Sequence, residues 1–229
     1  MVHLFIELMP STLSTQTLLM FRWFYDWLAR MDSPCSADLI FVHAGLEIRK
    51  SFAVELYYRG LAPRILFSVG RYEIRRFVNL ALPLRIDLLK MVEKVPHRLR
   101  HFLVSVAGQQ LEVQRISAGR LGTMREIEAL TQWLEKRPQI KSILIVSSNI
   151  HLRRVRMCCG TLLPAGLKIH LLAVPEEHPG SGRTNWLADS QTRKLVLTEV
   201  LKIICYLLIL PFHGLAGAWR CEQPQTIIR

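Results

Sequence analysis

The stretch Ser142–Arg154 has the sequence SILIVSSNIHLRR and carries the strongest strand signal in the chain. Ser142–Ser148 is a short apolar run rich in β-branched residues, which is typical of a strand buried on both faces. The residues Ile150–Leu163 then predict a helix, with Pro164 and Gly166 just beyond its end. A strand that runs directly into a helix is the repeating unit of an α/β protein.

The same unit occurs earlier in the chain. Asp38–Ala44 (DLIFVHA) and Arg64–Val69 (RILFSV) predict two buried strands, and Glu47–Arg59 between them predicts a helix that Gly60 ends. Two apolar strands joined by one helix form a βαβ unit, which implies parallel pairing. A further helix at Gly122–Lys136 and a strand at Lys168–Val174 continue the alternation. The sequence therefore predicts an α/β fold with a mainly parallel sheet covered by helices on both faces.

The remaining segments give weaker signals. Leu13–Met31 predicts an amphipathic helix whose aromatic stripe we expect in the core. Arg71–Pro96 predicts two helical pieces broken at Pro83, and His101–Val106 and Leu111–Ile116 predict two strands. We expect an N-terminal helical segment over residues 1–36, the α/β domain over 37–180 and a C-terminal helix over 181–229.

The composition indicates a basic globular protein. The chain has 229 residues, half of them hydrophobic, which suits one domain with a sizeable core. A formal net charge of +12 favours anionic partners: phosphorylated small molecules, anionic lipid or nucleic acid. The basic residues are scattered, so a generally basic surface is an alternative. A clustered basic helix and a stacking platform are both missing, which argues against nucleic acid.

Cysteine usage and the two termini bear on location. The five cysteines form no CxxC pair, which excludes a zinc ribbon and a disulfide framework and favours reduced thiols. Residues 1–16 lack a basic n-region, so no cleavable signal peptide is predicted. Ile203–Trp219 contains no charged residue and predicts either a packed helix or a membrane span. The expected location is cytoplasmic, or peripheral to the inner membrane.

Polar residues follow each predicted strand, where ligands of open α/β sheets bind. They are Gly45 and Arg49 after the first strand, Ser68 and Glu73 after the second, and Ser147, Ser148, Asn149, His151 and Arg154 after the SILIV run. Helix starts and arginines suit a phosphate or carboxylate, and a histidine suits proton transfer. As an alternative, Ser148 or Asn149 caps a helix, and Thr123 with Glu126 forms a T-x-x-E capping box.

The standard motifs of catalysis are missing from the sequence. It contains no GxGxxG after a strand, no phosphate-binding P-loop, no GxSxG elbow and no HExxH pair. Glu176, Glu177 and His178 could contact a metal ion, but no further ligands accompany them, so no metal site is predicted. The sequence leaves the cofactor open.

Several of these residues resemble a known family pattern. Asp38–Gly45, Gly60-x-Ala-Pro63 and Ser147-Ser-x-x-His-x-x-Arg154 resemble YdcF-like proteins, the group that includes SanA and ElyC. The resemblance covers about Asp38–Val174. His43, Val69 and Glu126 depart from the pattern, which marks a divergent branch. The resemblance implies a three-layer Rossmann-like fold and a pocket that contains Arg49, Ser117, Thr123, His151 and Arg154. It also implies a role in the bacterial envelope or surface-polysaccharide metabolism.

Two hypotheses follow for the function. In the first, the chain binds a phosphorylated or nucleotide-like molecule and, if it is an enzyme, acts as a hydrolase or transferase. Arg49 and Arg154 would then hold the anion and His151 would transfer a proton. Ser117 and Thr123 would orient the ligand or a water, with Glu73 or Glu126 as base. In the second, the chain is a non-catalytic envelope factor that associates with the membrane.

Overall fold

One mixed β-sheet organises the residues that the computed structural model describes, which are 15–84, 86–117, 121–175, 186–213 and 225–228. Its strands are β1 (Leu39–Val42), β2 (Ile65–Gly70), β3 (His101–Ala107), β4 (Gln110–Arg115), β5 (Ser142–Ser147), β6 (Lys168–Ala173) and β7 (Gln225–Ile228). The helices are α1 (Thr15–Leu28), α2 (Glu47–Tyr58), α3 (Ile74–Phe77), α4 (Leu88–Met91), α5 (Gly122–Glu135), α6 (Leu152–Leu162) and α7 (Ser190–His213). Short 3-10 turns occupy His97–Leu99 and Asn149–His151.

The strand order is β6-β5-β1-β2-β3-β4, with β7 added at the β4 edge. Neighbouring strands from β6 to β2 are parallel, whereas β3 is antiparallel to both β2 and β4. Five of these six strands therefore run in the same direction. The predicted α/β class with a mainly parallel sheet is confirmed, although β3 and β7 run against the rest.

The position of β1 explains its sequence. It pairs with β5 on one side and β2 on the other, so Ile40 lies between Leu144 and Ile65. All four of its residues are buried. A strand with helices above and below it must be apolar on both faces, which is why it lacks the alternation of a half-exposed strand.

Helices cover both faces of the sheet. On one face, Ile40, Val42 and Phe67 belong to a core cluster with residues of α2, α3 and α4. On the other, Leu39 and Phe41 belong to a second cluster with residues of α5, α6 and α7. Successive residues of a strand point to opposite faces of the sheet. His43 comes two residues after Phe41, so its side chain lies on the same face as Phe41, the face covered by α5.

The middle of the chain differs from its prediction. Among the described residues of 71–96 there are two four-residue helices, α3 and α4, instead of two longer helical pieces. The predicted pair of strands around Gly108 is present as the hairpin β3–β4, and Gly108 has a φ of 54°, as a tight turn requires. Each short helix contributes buried residues to the core cluster beside the sheet, through Ile74 and Phe77 of α3 and Leu88 of α4.

The two flanking helices pack against each other and against the α6 start. Tyr25 and Leu28 of α1 form a cluster with Ile150 and with Val196 and Ile203 of α7. The expectation of a fully buried aromatic stripe on α1 is wrong in part, because Trp23 is 67% exposed. In the C-terminal region, α7 contributes Tyr206 and Leu210 to the core and β7 joins the sheet.

Helix α7 is long and apolar enough to cross a membrane, with a mean hydropathy of 2.2 over an 18-residue window. One side of it is buried against the domain, through Val196, Ile203 and Tyr206. The opposite side exposes large apolar side chains to solvent, namely Leu195, Leu197, Leu201, Ile204, Leu207, Leu208 and Phe212. The helix is therefore apolar on both its docked and its exposed side.

Candidate functional site

A cavity of about 700 Å³ opens beside the carboxyl ends of β1 and β5. Its walls come from the β1–α2 turn, the start of α5, the start of α6 and the middle of α7. The lining residues are His43, Ala44, Gly45, Arg49, Glu73, His101, Leu121, Gly122, Thr123, Glu126, Ser147, His151, Arg154, Val155, Thr198, Leu201, Lys202, Cys205 and Tyr206. The position agrees with the general rule for ligand sites in open α/β sheets.

A buried carboxylate forms the centre of the first polar cluster, which we call the floor network (His43, Ser68, His101 and Glu126). Glu126 Oε2 lies 2.5 Å from His43 Nδ1, and Glu126 Oε1 accepts from Ser68 Oγ at 2.7 Å. The Ala44 amide also donates to Oε1, and His101 Nε2 lies 2.9 Å from Ser68 Oγ. Burial alone would raise the pKa of Glu126, but His43 and His101 outweigh it and hold that pKa well below its usual value.

The second cluster, which we call the wall network, joins Thr123, His151, Arg154 and Glu199. Glu199 is fully buried and accepts from Arg154 Nε at 2.5 Å and Nη2 at 3.2 Å. Its Oε2 also lies 2.8 Å from His151 Nδ1, and Arg154 Nη1 donates to Thr123 Oγ1. Burial would raise the pKa of Glu199, but hydrogen bonds from His151 and Arg154 lower it to about 2.

His151 is therefore held in one tautomer. Burial lowers its pKa, and the nearby Glu199 carboxylate only partly offsets this effect. The lowered pKa leaves the ring neutral at neutral pH. Glu199 Oε2 lies 2.8 Å from Nδ1 and Arg154 Nη2 lies 3.3 Å from it, so the shorter contact, with a carboxylate that can only accept, favours the proton on Nδ1 and the lone pair on Nε2. In this state His151 accepts a proton or a hydrogen bond and cannot donate one from Nε2.

Arg49 is placed by the turn that follows β1. Its Nε donates to Ser148 Oγ at 2.9 Å and its Nη1 donates to the Ala44 carbonyl at 2.7 Å. Gly45 has a φ of 126°, and a Cβ built on it would lie 2.9 Å from Arg49 Nη1. Glycine at this position thus serves two purposes: it permits the turn and leaves room for the guanidinium.

Glu73 has a structural role. It lines the cavity, but its carboxylate pairs with Lys50 Nζ and accepts from the Gly45 amide at 2.8 Å. Both interactions fix the β1–α2 turn against the end of β2. The hypothesis that Glu73 acts as a base receives no support from this pairing, since its charge is already matched.

A second cavity of about 540 Å³ adjoins the first and shares Gly45, Arg49 and His151 with it. Ser148 and Asn149 line this second cavity. The expected capping role of Ser148 is wrong for its side chain, which makes no capping hydrogen bond and instead accepts from Arg49. Arg49 therefore lies between the two cavities.

The structure brings most of the predicted site residues together. Gly45, Arg49, Glu73, Thr123, Glu126, Ser147, His151 and Arg154 all line the main cavity. Ser68 lies beneath it in the floor network. Ser117 is half-buried beyond β4 and is not part of either cavity wall. The alternative of a Thr123–Glu126 capping box is wrong, because Leu121 occupies the N-cap of α5 and both side chains turn to the site.

Sequence analysis missed residues that come from distant parts of the chain. His101 at the start of β3 and Glu199, Lys202 and Tyr206 of α7 all contribute to the cavity. One signal for Glu199 was present, because it is a single carboxylate in an otherwise apolar and basic helix. A lone charge in such a helix usually has a buried partner.

Metal binding finds no support in the described part of the chain, where no group of three or more His, Cys, Asp and Glu residues could hold an ion. Glu176, Glu177 and His178 lie outside the described residues. Cys158 and Cys159 are buried in the core, and burial raises the pKa of Cys158 to about 12. They are therefore core residues without thiolate reactivity.

No protein-family model, curated protein or solved structure matches the chain. The YdcF-like resemblance rests on its residue pattern, and the chemistry of the cavity rests on its own geometry.

Proposed function

We propose that the main cavity binds the phosphate group of a phosphorylated or nucleotide-like small molecule, with Arg49 as the principal anion contact. The domain would be a three-layer Rossmann-like unit of a divergent YdcF-like branch, with a role in envelope or surface-polysaccharide metabolism. If the site is catalytic, the reaction would be hydrolysis or transfer of the phosphorylated group.

One observation carries this proposal: Arg49 is a buried cation that forms no ion pair with a carboxylate of the described residues. It is 7% exposed, and no carboxylate of the described residues lies within ion-pair distance of it. Arg154, by contrast, has Glu199, and Lys50 has Glu73. A buried charge without a partner is costly, so an anionic ligand would supply the missing counter-charge.

The surroundings of Arg49 suit a phosphate in particular. Gly122 and Thr123 at the start of α5 line the same cavity, and the first turn of α5 contains no acidic residue. The amide groups at a helix start and the positive end of its dipole favour an anion. Lys202 of α7 also lines the cavity, with its Nζ 3.8 Å from Glu199 Oε2.

The test is calorimetric titration with orthophosphate and with AMP. We expect Arg49→Met to weaken binding about 10- to 100-fold, because a charge-assisted hydrogen bond contributes about 1.5–3 kcal/mol and each 1.4 kcal/mol is a factor of ten. Arg59→Met is the matched control, since Arg59 lies at the end of the same helix with 58% of its side chain exposed. Equal affinity of Arg49→Met and the wild type, or no binding by the wild type, contradicts the proposal.

A second candidate function concerns the exposed side of α7, which we propose rests on an anionic lipid surface. Glu199 and Tyr206 hold the helix on the domain, so the exposed Leu201, Leu207 and Leu208 would contact lipid without a span. The exposed Lys194, Lys202 and the net charge of +12 provide the complementary charge. An apolar face flanked by basic residues is typical of helices that lie in a membrane interface.

This candidate predicts co-sedimentation with phosphatidylglycerol vesicles and weaker co-sedimentation with phosphatidylcholine vesicles. Leu208→Glu should reduce binding to the anionic vesicles at least tenfold, because it places a like charge against the lipid. Leu99→Glu is the control, since Leu99 is also exposed but lies outside α7. Equal binding of the two variants would exclude α7 as the contact.

A further inference from the structure

His43 has one ring nitrogen that the floor network does not use. Its Nδ1 faces Glu126, but its Nε2 is buried and has no hydrogen-bond partner in the structure. The residue is 2% exposed and lines the main cavity. Buried polar atoms without partners are rare in folded proteins, and one in the wall of a cavity indicates a group that a ligand completes.

The neighbours of His43 determine its tautomer. Glu126 accepts from Ser68 Oγ and the Ala44 amide as well, so it is present as a carboxylate and cannot donate. The proton between Glu126 and His43 must therefore reside on His43 Nδ1, so the neutral form of the ring carries its lone pair on Nε2. A carboxylate that fixes Nδ1–H and leaves Nε2 as acceptor is the arrangement of a general base in hydrolytic enzymes.

The anion contact lies close to this base. Arg49 Nη1 donates to the carbonyl of Ala44, the residue after His43, and both side chains line the cavity. Arg49 and His43 line the same cavity, so a phosphate held by Arg49 would share that cavity with His43 Nε2. His151 likewise presents an acceptor at Nε2 when its Nδ1 donates to Glu199. In the proposed step both Nε2 atoms act as acceptors, so neither ring supplies a proton to the leaving group.

We propose, on the basis of the function proposed above, that His43 is the general base of a phosphoanhydride hydrolase and that Glu126 is its positioning residue. A water oxygen forms the new bond to the terminal phosphorus, and the bridging P–O bond breaks. The water proton passes to His43 Nε2, and the bridging oxygen leaves with its electron pair as part of a phosphate anion. This leaving group is stable without protonation, unlike the alkoxide of an alkyl phosphomonoester, so the site favours anhydrides.

The experiment measures phosphate release from inorganic pyrophosphate, ADP and AMP by the full chain, together with orthophosphate binding. The wild type should hydrolyse pyrophosphate and ADP and leave AMP intact. His43→Ala should lower kcat by a factor of about 100 to 10,000, the usual contribution of a general base. Imidazole added to the buffer should restore part of the rate, which a purely structural role would not allow. His97→Ala is the control, since His97 is exposed and lies outside the cavity.

Each other outcome overturns a defined part of the proposal. A wild type that binds orthophosphate but hydrolyses neither anhydride excludes the catalytic role and leaves the proposed function standing, whereas no phosphate binding excludes both. Cleavage of AMP as fast as ADP excludes the substrate class. A His43→Ala rate within fivefold of wild type excludes His43, and His43→Gln gives the same comparison if the alanine variant does not fold. In ¹⁸O-labelled water the released phosphate should carry the label, and a phosphorylated His43 would exclude the base role.

Discussion

Replacing Glu199 by alanine is expected to lower the free energy of unfolding by about 3–5 kcal/mol, the usual cost of breaking a buried ion pair. The substitution removes the only carboxylate that the described residues place against Arg154 and leaves the guanidinium buried. It also removes the acceptor that fixes His151 Nδ1. Urea denaturation followed by circular dichroism measures the change.

Two variants give this prediction its controls. Glu55→Ala removes a carboxylate whose pair with Arg59 is exposed, and it should change stability by less than about 0.5 kcal/mol. Changing both Glu199 and Arg154 to methionine should recover much of the loss, because no unpaired charge is then buried. Similar stability of Glu199→Ala and Glu55→Ala would show that the wall network does not stabilise the fold.

The same carboxylate makes stability depend on pH. Its pKa of about 2 in the folded protein lies below the ordinary value of 4.5, so its contribution is fully present above pH 4.5. That contribution is lost as the pH falls through about 2. The stability difference between the wild type and Glu199→Gln should therefore be constant near neutral pH and shrink in acid. A difference that grows in acid would contradict the assignment.

Trp133→Ala is expected to cost about 3–5 kcal/mol, the range for large aromatic side chains removed from a core. Trp133 on α5 is 1% exposed and belongs to the cluster between α5, α6 and the sheet. The Arg137 guanidinium stacks on its indole ring, with Cζ 3.8 Å from the ring centroid. Denaturation midpoints of the two proteins measure the effect.

Trp23→Ala is the matched control for that substitution, since Trp23 is 67% exposed on α1. It should change the free energy of unfolding by less than about 0.5 kcal/mol. If both substitutions lowered the free energy of unfolding equally, Trp23 would contribute to the core as much as Trp133 does. That result would contradict the difference in exposure between the two side chains.

The parallel part of the fold could be predicted because its signal is local. Asp38–Ala44 and Ser142–Ser148 are apolar, β-branched and bounded by turn residues, and they became β1 and β5 within a residue or two. Arg71–Pro96 could not be predicted in the same way. Its two short helices depend on buried contacts with the sheet, and such contacts leave no periodic pattern in the sequence.

The sequence could predict only those site residues that directly follow a predicted strand. Arg49, His151 and Arg154 follow apolar strands directly, and the carboxyl ends of parallel strands meet at one edge. Glu199 lies 45 residues beyond Arg154 and has no such marker. Its role depends on how α7 docks, which is a property of tertiary packing.

Thr123 and Glu126 show why local motifs can mislead. Their spacing fits a capping box, yet in the structure Thr123 accepts from Arg154 and Glu126 accepts from His43. His43 and Glu126 contact each other in the cavity floor, so Glu126 serves the site and not the helix start.

Helix α7 makes the cavity one of the later parts of the molecule that synthesis can complete. His43 of the floor network lies early in the chain. Arg154 can pair with Glu199, and the Met124 amide can donate to the Tyr206 hydroxyl, only after α7 has left the ribosome. Until then the start of α6 presents an unpaired arginine to solvent. A chain terminated before residue 190 would keep all six main strands and lack the α7 wall of the cavity, so the proposed ligand binding would require that translation had passed α7.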